Sequence, residues 1–213
     1  MNYGICDEAG KVIARFVVPT TVSSNCPVFS TDTLNLHRKT MLRGAQRWEL
    51  KTNVEPLQAT AEDLFVNLVT KGYHEEVTIK VPQNIGVITK LRDIADANTT
   101  LTISIGARSN PPEIRYGRVT LTVDPGRRVI PKGTLVTLGG DLKVYMLVGE
   151  IGPTSTSVDL FPQLLVTKND VATLTYCGVT MRCKYDTDTI QGMVYQNGML
   201  MDMGVISLVE NLQ

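Results

Sequence analysis

The chain has 213 residues, 43% of them hydrophobic, and sets 21 Lys plus Arg against 21 Asp plus Glu. That length allows one large domain or two small ones with a core that needs no staples, and the charge balance excludes a global field that would gather nucleic acid or an anionic membrane. No apolar run approaches the roughly 20 residues that span a bilayer, and the opening "MNYGICDEAG" lacks the basic-then-apolar order of an export signal, so no membrane or secretory role is expected.

Short runs of Val, Ile, Leu and Thr, punctuated by Gly, Pro, Asn and Asp, predict a strand-rich chain. The first such run is "KVIARFVV", and the next, "RWELKTNV", holds the chain's one Trp, Trp48, directly after Arg47. An indole carries a large apolar area, so Trp48 is expected to anchor its strand in a core. "TAEDLFVNLVTKG" breaks the strand texture: Thr60 can cap a helix, Glu62 and Asp63 suit its first turn, and Lys71 and Gly72 suit its end. Leu64, Phe65, Leu68 and Val69 fall on one side at helical spacing, which predicts one amphipathic helix lying on a sheet. Trp48 is expected to pack against its Leu64, Phe65 and Leu68 side. Strand-like runs then follow in order: "EEVTIKV", "TLTISI", "GRVTLTV", "TLVTL", "KVYMLVGEI", "SVDLF", "TLTYCG", "TMRCKYD" and "GVISLVEN". Many alternate apolar with polar residues, as strands with one buried face do. The expected fold class is mainly β with one short α-helix, an α+β arrangement. Two loops, "GARSNPPEIRYG" and "VDPGRRVIPKG", carry Arg108, Arg115, Arg127 and Arg128 and read as solvated surface or as basic binding loops.

Little chemistry is legible. Lys132 precedes Gly133, the reverse of a phosphate-cradling loop, and "HEE" at His74 to Glu76 lacks the second histidine of a zinc protease helix. With only His37 and His74 and no G-x-S-x-G elbow, a Ser-His-acid site has little to build on, and His74 reads as a capping or surface residue. Cys6, Cys26, Cys177 and Cys183 form no C-x-x-C pair, so buried thiols are expected rather than a zinc site or disulfides. On one extended strand, Cys177 and Cys183 of "CGVTMRC" would share a face but lie too far apart to bond. No catalytic, cofactor-binding or metal-binding residue is expected, and the chain does not read as an enzyme.

The order of features carries a resemblance. "RGAQRWELKTNVEPL", with Gly44, Gln46, Arg47, Trp48, Glu49, Pro56 and Leu57, followed by the helix and a strand, resembles the opening of distal tail and baseplate-tube proteins of tailed bacteriophages. "IPKGTLVTLGGDLKVYMLVGEIGPTSTSVDLFPQL" looks like that family's strand-and-turn module, at Lys132, Gly133, Leu138, Gly139, Val144, Tyr145, Val148, Phe161, Pro162 and Leu164. "GVTMRCKYD" and "GVISLVENL" resemble its closing strands, which end near Val209 and Glu210. The double glycine Gly139–Gly140 departs from the single glycine of many members, and residues 84–112 have no counterpart.

The resemblance implies a tail-tube-like β-sandwich or barrel from residues 1–82 and 170–213. Residues 83–169 would be an inserted β-rich segment, with a small barrel at about 115–165. Gly44, Arg47, Trp48, Leu64, Phe65 and Leu68 would be its structural residues. The implied function is a structural virion protein forming a homo-oligomeric, six-fold ring at the distal end of the tail and lining the DNA channel. Its implied partners are the tail tube protein, baseplate or hub proteins and the tape measure protein, with no membrane and no sequence-specific nucleic acid. It would be assembled in the host cytoplasm. The alternative is a strand-rich module attaching a receptor-binding or carbohydrate-binding appendage.

Overall fold

The computed structural model describes residues 3–25, 28–33, 37–42, 46–57, 66, 75–83, 100–104, 117–121, 129–139, 141–164, 171–186, 194–196, 199–202 and 204–212. Its strands are β1 (Gly4–Cys6), β2 (Val12–Asn25), β3 (Val28–Asp32), β4 (Arg38–Leu42), β5 (Arg47–Pro56), β6 (Val77–Lys80), β7 (Thr100–Ser104) and β8 (Gly117–Leu121). They continue with β9 (Leu135–Leu138), β10 (Val144–Leu147), β11 (Ser157–Phe161), β12 (Val171–Thr175), β13 (Thr180–Tyr185), β14 (Val194–Gln196), β15 (Met199–Asp202) and β16 (Val205–Glu210). The protein is mainly β, and its sheets pair antiparallel strands.

The chain divides into two compact units. A terminal unit is built from Gly4–Thr78 and Arg182–Asn211, and a central unit mainly from Ile79–Met181. The divisions fall within β6 and β13.

The terminal unit is organised around β5, which pairs with β2 from Ala14↔Pro56 to Asn25↔Arg47 and with β16 from Val205↔Asn53 to Val209↔Glu49. The strand order β1-β2-β5-β16-β13-β6 closes on itself. Period-two alternation sets the faces of β5: Trp48, Leu50, Thr52 and Val54 are buried, whereas Arg47, Lys51 and Glu55 are exposed. Ala14 and Phe16 of β2, Cys183 and Tyr185 of β13, and Ile206 and Leu208 of β16 are also buried. Each large apolar side chain removed from water contributes about 1.5–3 kcal/mol.

β2 is long enough to follow β5 throughout because a bulge lies between Val17 and Thr21, where Pro19 falls. Thr52 closes that irregularity: its buried hydroxyl donates to the Val17 carbonyl at 3.1 Å and lies 2.9 Å from the Thr20 hydroxyl. β1 joins the other edge of β2, pairing only with Val12 to Arg15.

The central unit closes through β10-β11-β8-β7-β12-β9. Its core gathers Val119, Ile130, Val136, Tyr145, Leu160 and Tyr176 among others. Gly133, with φ of +84°, lets the chain turn into β9, and its N–H donates to Leu147. At the β9–β10 turn one Asp141 oxygen accepts the Lys143 N–H at 3.1 Å and the other accepts the Tyr145 hydroxyl.

Several expectations need correction. The central ring includes β7 and β12, so it extends beyond residues 115–165 on both sides, and the unit runs past 83–169. The runs "TLTYCG" and "TMRCKYD" are separate strands as expected: β12 ends at Thr175, before Cys177, and Gly178 takes a positive φ of 67° that breaks the extended run before β13 and Cys183. The segment expected to be helical lies outside the described residues except for Val66, which is helical and 55% exposed.

Candidate functional site

Trp48 is buried at 5% exposure, at the end of the terminal sheet where β5 begins. Arg47 beside it points outward and is exposed, as strand alternation requires. Gly44, Leu64, Phe65 and Leu68 lie outside the described residues, so the expected contact of Trp48 with the helix does too.

Near the start of β5 some polar side chains are buried, which sequence reasoning missed. The ladder between β16 and β5 ends at Val209↔Glu49, and one step beyond, the Glu210 carboxylate accepts the Trp48 N–H at 3.1 Å. A side chain thus satisfies a backbone donor where main-chain pairing stops. Glu210 is 2% exposed because alternation along β16 turns it to the same face as Ile206 and Leu208. Cys183 is its cross-strand partner. Burial, and then the Glu210 carboxylate, pushes the Cys183 thiol well above its ordinary range. Burial does the same to the Tyr185 phenol, with Cys183 adding to it. A thiol held protonated is a poor nucleophile and a poor metal ligand. Gln46 is buried beside it and donates from Nε2 to the Ser24 hydroxyl at 2.9 Å.

Two further pieces of the terminal unit stand outside the closed sheet. β3 and β4 form a two-stranded sheet from Val28↔Leu42 to Asp32↔Arg38, and β14 and β15 form another from Val194↔Asp202 to Gln196↔Met199. In sequence the first lies between the ends of β2 and β5, whose last pair is Asn25↔Arg47. Its tip is held by the Thr33 N–H donating to the His37 carbonyl at 2.9 Å and by the His37 N–H donating to the Thr33 hydroxyl at 3.2 Å. Asp32, His37, Arg38 and Lys39 are exposed there, and Arg38 donates to the Ser30 hydroxyl at 2.9 Å. The sequence signal for these hairpins was present in "NG" at Asn197–Gly198, a strong short-range hairpin dipeptide, and in the near-symmetric run from Val28 to Leu42.

Among the described residues no group of His, Cys, Asp or Glu could hold a metal ion, and no helix is long and apolar enough to cross a membrane. Cys6, Cys177 and Cys183 are not in disulfides, and Cys26 lies outside the described residues. No family model and no curated protein matches the chain.

Proposed function

We propose that the protein is a structural component of a tailed-bacteriophage virion, forming a homo-oligomeric, six-fold ring at the distal end of the tail. It joins the tail tube to the baseplate or tail tip and lines the DNA channel. In this reading the terminal unit is the tube-like barrel and the central unit is a barrel inserted into it. The partners are the tail tube protein, baseplate or hub proteins and the tape measure protein, and assembly takes place in the host cytoplasm.

The observation that carries the reading is the pair of two-stranded sheets outside the closed strand order. A lone two-stranded sheet is marginal in water, and each of its edges presents unpaired N–H and C=O groups. A chain that keeps two such sheets gains stability when neighbouring copies cover them, and closed symmetry is the usual way to do so. A packing role also suits the protonated thiol beside Glu210, which offers no reactive centre.

Electron cryo-microscopy of the assembled particle tests the proposal. Density for this chain surrounding the lumen at the tail end is expected. A peripheral position with no contact between copies would leave the appendage-binding module as the better reading.

A further inference from the structure

Charge is unevenly placed within the terminal unit, although the whole chain balances. Residues 21–51 hold Arg38, Lys39, Arg43, Arg47 and Lys51 against Asp32 and Glu49. Arg38, Lys39, Arg47 and Lys51 are exposed, and Arg43 lies outside the described residues.

Strand alternation turns Arg47, Glu49 and Lys51 to the outer face of β5, away from the buried Trp48 and Leu50. Their partners on β2 are Asn25, Ser23 and Thr21, all exposed. Glu49 is half-buried and its carboxylate accepts the Asn25 amide, whereas farther along the strand Glu55 is ion-paired with Arg15. Two residues join Asn25 to Val28, which keeps the start of the β3–β4 hairpin within about 11 Å of Asn25. On that hairpin Asp32 lies across from Arg38, and Lys39 lies across from Thr31. Among the described residues, Lys39, Arg47 and Lys51 have no ion-pair partner, so these three cations carry the surplus.

We infer that this surface, the outer face of β2 and β5 with the β3–β4 hairpin, binds the phosphate backbone of double-stranded DNA without reading its sequence. Arg, Lys, Ser, Thr and Asn side chains are the ones that hold phosphates, and all five types are exposed here. Arg47 and Lys51 stand about 13 Å apart at the usual strand rise, farther than one phosphate group can bridge, so the ligand is an extended polyanion rather than a small anion. A duplex offers a charge about every 1.7 Å along its axis and meets that need at any register. A protein partner fits less well, because interfaces centre on large apolar anchors. The exposed large apolar side chains, among them Leu57, Val66 and Val205, all lie outside residues 21–51 among the described residues. The inference goes beyond the assembly reading and does not rest on it.

Fluorescence anisotropy of short labelled duplexes, titrated with the full chain, tests this. Three phosphates neutralised per copy give a slope of about −2.7 in log affinity against log salt, so an approximately fourfold rise in salt weakens binding about fortyfold. The variant Lys39→Gln, Arg47→Gln, Lys51→Gln should bind at least about tenfold more weakly at low salt and lose most of that slope. All three side chains are exposed, and melting compared with the parent confirms folding. Lys11→Gln with Lys132→Gln, which removes two exposed cations elsewhere, should leave affinity within about twofold of the parent. Two duplexes of unrelated sequence should bind alike.

A parent that binds no duplex at low salt overturns the inference. So does a folded triple variant that binds like the parent, or a control variant that loses as much. Vesicles containing phosphatidylserine bound as tightly as DNA would reassign the surface to anionic membranes, and a clear preference for one duplex would replace backbone binding with base readout. The position of the chain in the particle decides the assembly reading separately, whichever of these results is found.

Discussion

At the scale of single residues, Trp48 combines a buried indole with a backbone donor held by a buried carboxylate. Trp48→Ala deletes the indole from a closed sheet that cannot easily collapse, so a loss of about 3–5 kcal/mol in urea unfolding is expected. Blue-shifted, poorly quenched indole emission should accompany the parent; exposed emission with an unchanged midpoint for Trp48→Ala would contradict the core role. Cys183 and Tyr185 give the protein an alkaline limit. Both are raised in the folded state from ordinary values of 9.0 and 10.0, so both stay protonated after the unfolded chain has begun to lose those protons. Their stabilising contribution is complete below about pH 9 and falls as pH rises beyond it, with a slope of about 1.4 kcal/mol per pH unit for each group discharged only in the unfolded state. Urea midpoints taken from neutral pH to about pH 10.5 should show the decline, and Cys183→Ala should flatten its first part.

At the scale of elements, β1 depends on the absence of a side chain. A Cβ on Gly4 would run into the Ala14 backbone, which cannot move aside without breaking the pairing of Gly4 with Arg15 and Ile5 with Ala14. Gly4→Ala is therefore expected to detach β1, destabilise the terminal unit by about 2 kcal/mol or more, and speed amide exchange along Val12 to Arg15. Unchanged exchange there would show that β1 tolerates a methyl group. The same register logic explains Thr52, a polar residue at a core position. It is tolerated because the bulge in β2 leaves the Val17 carbonyl for it to bond.

At the scale of the whole molecule, the central ring limits where the chain can be cut. Excising residues 115–165 with a short Gly-Ser bridge removes β8, β9, β10 and β11 and leaves β7 and β12 with open outer edges. Aggregation is the expected result, because unpaired edges recruit other chains. Size-exclusion chromatography reads it directly, and a soluble monomer with parental melting would show that β7 and β12 do not need their neighbours.

Short runs of Val, Ile, Leu and Thr between turn residues were enough to find β2, β5, β6 to β13 and β16 in the sequence, and where one face is buried, as in β5, every second residue marks it. The burial of Trp48 was legible from the large apolar area of its indole, and alternation along β5 turns Arg47 outward. β1, β3, β4, β14 and β15 were not found: β1 and β14 have three residues each, too few to show a period, and β3 with β4 and β14 with β15 pair outside the closed strand orders. What only the tertiary structure decided was partnership. Alternation says which way a side chain points but not which strand lies beside it, so neither the closure of each ring nor the meeting of Glu210 with Trp48, 162 residues apart, could be read along the chain.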